Sequence, residues 1–206
     1  MKLYSQLIFP HLLEWIMSRP GMMQLRYKLL ADIHGKVLEI GFGTGLNLLA
    51  YPSKDLELTT LDVNPAMQTR AQKRVKHFPL PVQHHTLDGA SLPFADAQFD
   101  AVVSTWTLCS IPRVDEALLE MYRVIKPGGR LYFVEHGLDP KPGIARWQHR
   151  LTPLQKRIGD GCHLNREPLK LIQQAGFHLE RHEHTRVHDL PRLGHFMSLG
   201  TAIKPA

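Results

Sequence analysis

The chain predicts an open α/β sheet of mostly parallel strands with helices on both faces. Two observations carry this. From Lys36 to about Glu135, apolar runs of strand length alternate with stretches of helical pattern, the signature of strand–helix–strand units. The first of those runs, Val37–Ile40, also leads straight into Gly41-Phe42-Gly43-Thr44-Gly45 and then a helix-compatible stretch, Leu46–Tyr51. A strand, a glycine turn and a helix start form a cradle for a nucleotide at the carboxyl edge of a parallel sheet.

The elements follow in order. Leu3, Leu7, Ile8, Leu12, Ile16 and Met17 have near-helical spacing broken at Pro10, which predicts a helix packed on the core. The functional alternatives for residues 1–30 are a lid over a substrate pocket or a weak peripheral contact with lipid. Strands are expected at Val37–Ile40, Leu58–Leu61, Val82–Thr86, Phe99–Ser104 and Arg130–Glu135. Helices are expected at Pro65–Lys76, with Asn64 as cap, and at Val114–Ile125, ended by Pro127-Gly128-Gly129. Beyond the Asp139–Gly143 loop come a helix, the turn Gly159-Asp160-Gly161, and a helix over Glu167–Ala175 with Gly176 as cap. Phe177–Val187 and Leu193–Ile203 close the chain as strands.

The bounds are simple. A chain of 206 residues holds one substantial domain, read as a helical lid or cap over 1–34 and a single domain over 35–206. Cys109 and Cys162 give no disulfide framework, so a reduced, cytoplasmic setting is the default. No apolar run reaches bilayer length, and no signal-peptide cleavage pattern follows the first apolar stretch. The net charge of +6 suits an anionic partner, but the basic residues are scattered, and nucleic acid is not the expected partner.

Spacing narrows the ligand. Dinucleotide folds carry Gly-x-Gly-x-x-Gly, whereas here Leu46 stands at the sixth position and the third glycine falls one place early. That favours a smaller ligand with no pyrophosphate. Asp62 ends the second strand, where a carboxylate accepts from two ribose hydroxyls. Asp88 follows the third strand, where it reads as a turn residue or as an acceptor for an adenine amino group. Gly41, Asp62 and Asp88 all fall at carboxyl ends of consecutive strands.

Together, Glu39-x-Gly-x-Gly-x-Gly, Asp62, Asp88-Gly-Ala with Leu92-Pro-Phe, Phe99-Asp-Ala-Val-Val and Val124-Ile-Lys-Pro-Gly-Gly resemble class I S-adenosylmethionine-dependent methyltransferases of the quinone-biosynthesis type. Glu135-His-Gly, Trp147-Gln, Gly159-Asp-Gly-Cys-His-Leu-Asn-Arg-Glu167 and Ala175-Gly-Phe177 are similar to the methyltransferase-like family that includes animal alkyl-thiol S-methyltransferases. Those relatives carry an N-terminal membrane anchor, and this chain is expected to lack one because its first core strand begins so early.

The resemblance implies a Rossmann-like, seven-stranded sheet with an antiparallel last strand. The implied cofactor is S-adenosyl-L-methionine, with S-adenosyl-L-homocysteine as product. Gly41, Gly43 and Gly45 are expected beside its methionine part and Glu39 near its amino end. Asp62 is expected on the ribose, Val63 and Met67 against the adenine, and Asp88 and Gly89 at the adenine edge. Thr105 is expected near the amino-acid end.

The implied acceptor is a small lipophilic molecule, with a thiol as first choice and a phenol, quinone carbon or amine as alternatives. His136, after the fifth strand, is a candidate base for its proton, or else a histidine bonded to a loop carbonyl. No metal is expected, because Cys109, His136, Cys162 and His163 lack the paired spacing of zinc ligands. Cys162 reads as a small buried residue rather than a nucleophile. The competing readings are a non-catalytic S-adenosylmethionine-binding protein, a nucleic-acid methyltransferase and an NAD-linked oxidoreductase.

Overall fold

The computed structural model describes residues 3–206; what the sequence reading assigns to residues 1 and 2 lies outside it. Seven strands form one sheet in the order β3-β2-β1-β4-β5-β7-β6. They are β1 (Gly35–Ile40), β2 (Leu56–Asp62), β3 (Val82–Thr86), β4 (Phe99–Thr105), β5 (Ile125–His136), β6 (His178–Arg186) and β7 (Phe196–Ile203). Neighbours from β3 to β5 pair in parallel, and β7 runs antiparallel to both β5 and β6. This is the expected class I methyltransferase fold with its antiparallel last strand.

Side-chain alternation along the central strands sorts the core into two layers. Val37 of β1, Ala101 and Val103 of β4, and Tyr132 and Val134 of β5 face one layer. There they meet α2 (Pro20–Leu30) through Met22, Leu25, Leu29 and Leu30, and α3 (Pro65–Val75) through Ala71. Leu38 and Ile40, Phe99 and Val102, and Leu131 and Phe133 face the other. That layer is covered by α4 (Val114–Val124), through Ala117, Leu118 and Met121, and by Ile172 of α6 (Pro168–Gln174). Burial on both faces explains why these strands read as near-continuous apolar runs.

Two further helices complete the chain. A π-helical turn, Tyr4–Ile8, leads into α1 (Phe9–Met17), and α5 (Pro142–Ile158) follows β5. The break at Pro10 does not end the N-terminal helix, because proline is accommodated in the first turn of α1, where its missing N–H costs no bond.

Two expected elements differ. Pro127-Gly128-Gly129 is not a turn before the strand but lies within β5, which begins at Ile125 directly after α4. Leu46–Tyr51 is not a helix of several turns but one 3-10 turn, Leu46–Leu49. Pro52 is the reason: it cannot donate to a helical ladder and it pushes the residue before it out of the helical region. The glycine loop therefore offers its own backbone N–H groups, with no helix dipole of consequence behind it.

Candidate active site

All candidate side chains lie along the carboxyl edge of the parallel strands. In spatial order they are Asp88 past β3, Asp62 at the end of β2, Glu39 and the glycine loop at β1, Thr105 at β4 and His136 at β5. Adjacent strands are about 4.8 Å apart, so β3 to β5 spans roughly 19 Å. That is room for a nucleoside at one end and a second small molecule at the other.

The β1–β2 corner is tightly built. Asp62 Oδ2 accepts from the Gly43 N–H at 2.7 Å, and Oδ1 accepts from the Asn64 N–H at 2.8 Å. Burial raises the carboxyl's pKa against the lowering effect of those two donors. A carboxylate has about four lone-pair directions, so acceptor capacity remains.

The glycines differ in what they require. Gly41 has φ +76°, and a Cβ there would lie 2.1 Å from Thr107 Oγ1, so the protein's own packing demands glycine. Gly43, at φ +56°, would place a Cβ with no neighbour nearer than the Gly41 carbonyl at 3.9 Å. Gly43 is thus the open face of the loop. Gly45 backs onto Ala71 and Phe42.

Glu39 points under the loop into a buried polar cluster. Asn47 Nδ2 donates to its Oε1 at 2.9 Å and to Thr105 Oγ1 at 3.1 Å, while Tyr51 Oη donates to Oε2 at 2.8 Å. Burial pushes the Glu39 carboxyl up to about 8, against the pull of Tyr51 and of the nearby Arg26 guanidinium. Arg26 donates to Asn47 Oδ1 at 3.2 Å and stacks over Trp106, yet its Nε is buried without a partner. Burial also lowers the Arg26 pKa to about 10.

Sequence reading missed Arg26 and Asn47. A signal for Arg26 existed: it sits four residues from both Met22 and Leu30, on the buried face of an apolar helix.

On the β3 side, Met67 is buried and Val63 is exposed. Asp88 Oδ1 accepts from the Ala90 N–H at 3.0 Å and its Oδ2 pairs with Arg113 at 3.0 Å. Those bonds hold its pKa below the usual carboxylate range. Gly89 packs towards Ile40.

The β4–β5 side carries a second buried group. His136 Nε2 lies 3.1 Å from Cys162 Sγ, and ligand atoms of Cys109, His136 and Cys162 all fall within 4.8 Å of one another. His136 is bonded to a thiol rather than to a loop carbonyl. The bond to Cys162 draws the Cys109 thiol well below its ordinary pKa despite burial, whereas the Cys162 thiol is pushed up by its bond to Cys109 and by burial. For His136, burial is the largest influence and lowers the pKa, but the charge of Cys109, its hydrogen bond and the charge of Glu135 together outweigh it and the net shift is upward.

Beside these, Glu135 Oε1 accepts from Ser104 Oγ and from the N–H groups of Thr107 and Leu108, and burial pushes its carboxyl up to about 8. The three ligand-type residues come from three separate segments, which is why their sequence spacing showed no metal pattern. His163 stands apart, its N–H and ring bonded to the Cys109 carbonyl.

The N-terminal turn spans this edge. Asn64 Nδ2 donates to the Ser5 carbonyl at 3.0 Å, Ser5 Oγ donates to Asp160 at 2.6 Å, and Tyr4 Oη donates to the Ile158 carbonyl at 2.7 Å. It therefore ties the end of β2 to the end of α5. Two surface clefts lie elsewhere, one of about 730 Å³ behind the loop near Glu14, Arg70 and Phe78 and one of about 860 Å³ near Trp147 and Leu190. No candidate residue lines either.

Residues 38–133 match a family described as a methyltransferase domain. The chain is 39% identical over 145 residues to thiol S-methyltransferase TMT1B of Rattus norvegicus, covering 68% of this chain and 59% of that protein. It is 34% identical over 110 residues to the ubiquinone/menaquinone biosynthesis C-methyltransferase UbiE of Bartonella henselae, covering 51% and 42%. The match thus spans less than two thirds of these relatives' own length. A solved structure of a putative methyltransferase from Bacillus halodurans superposes with a TM-score of 0.70 at 17% identity, covering 89% of this chain and 99% of that one.

Proposed function

We propose that the protein transfers a methyl group from S-adenosylmethionine to a small lipophilic acceptor, first of all a thiol, a reading supported by the match of residues 38–133 to a methyltransferase-domain family. One observation carries the proposal. The open Gly43 face, the Asp62 carboxylate and the Thr105–His136 side share one sheet edge in the order such a reaction needs.

The residues present fit the cofactor. Asp62, anchored by the Gly43 and Asn64 N–H groups, keeps acceptor capacity for a ribose diol. Gly43 leaves space where any side chain would intrude. The buried, unpartnered Nε of Arg26 suits a carboxylate such as that of an amino-acid moiety. Glu39, Asn47 and Thr105 hold the floor beneath that end. Asp88, Gly89, Val63 and Met67 flank the place for the adenine.

When bound, S-adenosylmethionine supplies a methyl group on a sulfonium, whose charge is neutralised when an anionic acceptor takes the methyl, so a dry pocket favours transfer. The chain's part is to hold the acceptor in line at about 3–3.5 Å, exclude water and let the acceptor's proton leave. Cys109, His136, Cys162 and Glu135 are titratable groups at the acceptor end.

The thiol choice is supported by similarity to thiol S-methyltransferases. Transfer to a phenol or quinone carbon is the second reading, supported by similarity to UbiE. The N-terminal segment serves as a lid, because its bridge from Asn64 to Ile158 and Asp160 must open to admit ligands. Leu3, Leu7, Ile8, Leu12 and Trp15 are exposed on it and suit a weak contact with a lipid surface. Among the described residues no helix is long and apolar enough to cross a membrane. A cytoplasmic setting is part of the proposal.

The test is to incubate the protein with the donor and a panel of thiols, phenols, quinols and amines and to measure S-adenosylhomocysteine. Turnover on thiols is expected. Turnover confined to phenols or quinols would transfer the assignment to the second reading, and cofactor binding without any turnover would make the protein a sensor.

A further inference from the structure

The geometry points to a metal site held by Cys109, His136 and Cys162, a Cys2His set suited to zinc, at the acceptor end of the sheet. Three segments deliver the ligands: the loop after β4, the last residue of β5 and the turn after α5. Their ligand atoms all lie within 4.8 Å of one another, with His136 Nε2 at 3.1 Å from Cys162 Sγ. Around a tetrahedral zinc, with Zn–S near 2.3 Å and Zn–N near 2.0–2.1 Å, ligand atoms stand roughly 3.5–3.8 Å apart. Closing the cluster on an ion thus takes shifts of an ångström or less.

The backbone beneath is already fixed. The His163 N–H donates to the Cys109 carbonyl at 2.8 Å, Arg166 donates to the Leu108 carbonyl, and Gly161 passes so close to Ser110 that a Cβ would lie 2.9 Å from its carbonyl oxygen.

Charge favours the same assignment. Two thiolates, a neutral imidazole and a divalent cation sum to zero, so the loaded cluster carries little burial penalty. No fourth histidine, cysteine or carboxylate joins the group among the described residues. Three protein ligands with an open fourth position are the pattern of catalytic rather than structural zinc.

The role of the metal rests on the thiol reading above. An acceptor thiol displaces the metal-bound water and binds as thiolate, and its proton passes to solvent. A sulfur lone pair then forms the new carbon–sulfur bond while the sulfonium carbon–sulfur bond breaks, its electron pair staying on the donor's sulfur. The neutral thioether leaves and water returns. His136 is then a ligand, not a general base.

The experiment uses the full chain purified under reducing conditions without chelator, with metal content measured alongside thiol titration and cobalt(II) substitution. About one zinc per chain is expected, with both cysteines protected from thiol reagent and thiolate-to-cobalt charge-transfer bands that change when an acceptor thiol is added. Cys162→Ser and His136→Gln should weaken zinc binding by on the order of 10²-fold. Zinc should raise the melting temperature of the wild type but not of Cys162→Ser, which separates lost binding from lost folding.

No zinc retained at micromolar free metal by a fully reduced wild type, or no cobalt–thiolate bands, would overturn the site. Thiol methylation undiminished in metal-free protein would overturn the role while leaving the methyltransferase reading intact. Stoichiometric zinc without methylation of any thiol would support the site and remove the thiol reading.

Discussion

The two halves of the sheet's carboxyl edge are built differently. On the β1–β2 side, the two bonds that hold the Asp62 carboxylate join residues closer in sequence: Asp62 to Asn64 two residues on, and Asp62 to Gly43 nineteen residues back. On the β4–β5 side the bonds join distant segments: His136 to Cys162 across 26 residues, His163 to Cys109 across 54, and Arg166 to Leu108 across 58. The first half is a local loop whose shape glycine angles dictate. The second exists only when the turn after α5 folds onto the loop after β4. A cofactor shared by many reactions suits the local device, and an acceptor peculiar to one reaction suits the assembled one.

Breaking the local half should cost most. Asp62→Ala removes the acceptor of the Gly43 N–H and the group proposed for the ribose. Hydrogen bonds to a charged group are worth roughly 1.5–3 kcal/mol each, so S-adenosylhomocysteine affinity, measured by calorimetry, should fall on the order of 10²-fold or more. Acceptor-side chemistry should be affected only through that loss.

The buried carboxyl of Glu39 sets the next effect. Burial raises its pKa from 4.5 to about 8, so the folded state holds a proton that the unfolded state releases. The contribution is full below about pH 4.5 and is lost as pH rises through 8. At about 1.36 kcal/mol per pKa unit this is several kcal/mol for the free protein, an upper bound. Raised pKa values at Glu135 and Asp62 act in the same direction. Urea unfolding should show stability declining from pH 5 to 8.5, and Glu39→Gln should flatten that decline.

The glycine loop offers a finer cut. Gly41→Ala should cost a few kcal/mol of stability, from the positive φ and the collision with Thr107, with Thr107→Gly recovering part of it. Gly43→Ala should cost only about 1 kcal/mol, the price of its positive φ, yet weaken cofactor binding more than tenfold because its Cβ enters the open face. Equal effects of the two substitutions on stability and binding would erase the distinction between packing and cradle. The smallest effect is expected outside the edge. Lys28→Ala breaks an exposed 2.6 Å pair with Glu183 and should change stability by less than about 0.5 kcal/mol.

The same contrast explains what the sequence showed. β1, β2, β4 and β5 were legible because two-faced burial fills them with apolar residues, and the glycine loop because positive φ angles leave a residue signature. The stretch after the loop was misread because its helical pattern hid the stop at Pro52. Spacing from Met22 and Leu30 marks Arg26 as a buried cation, but only the docking of α2 brings it against Asn47 and Trp106 and so makes it a site residue. The convergence of Cys109, His136 and Cys162 was invisible because nothing in local spacing encodes the packing of three separate segments.

The central claim is that the adenosyl half of the edge lies on β1–β3 and the acceptor half on β4–β5. A crystal structure with S-adenosylhomocysteine bound tests this most directly. Ribose hydroxyls on Asp62, backbone contact at Gly43 and a thioether sulfur turned towards the space between Thr105 and His136 are expected. An adenosyl group seated on the β5 side, or a ligand bound away from Asp62 and Gly43, would contradict that claim.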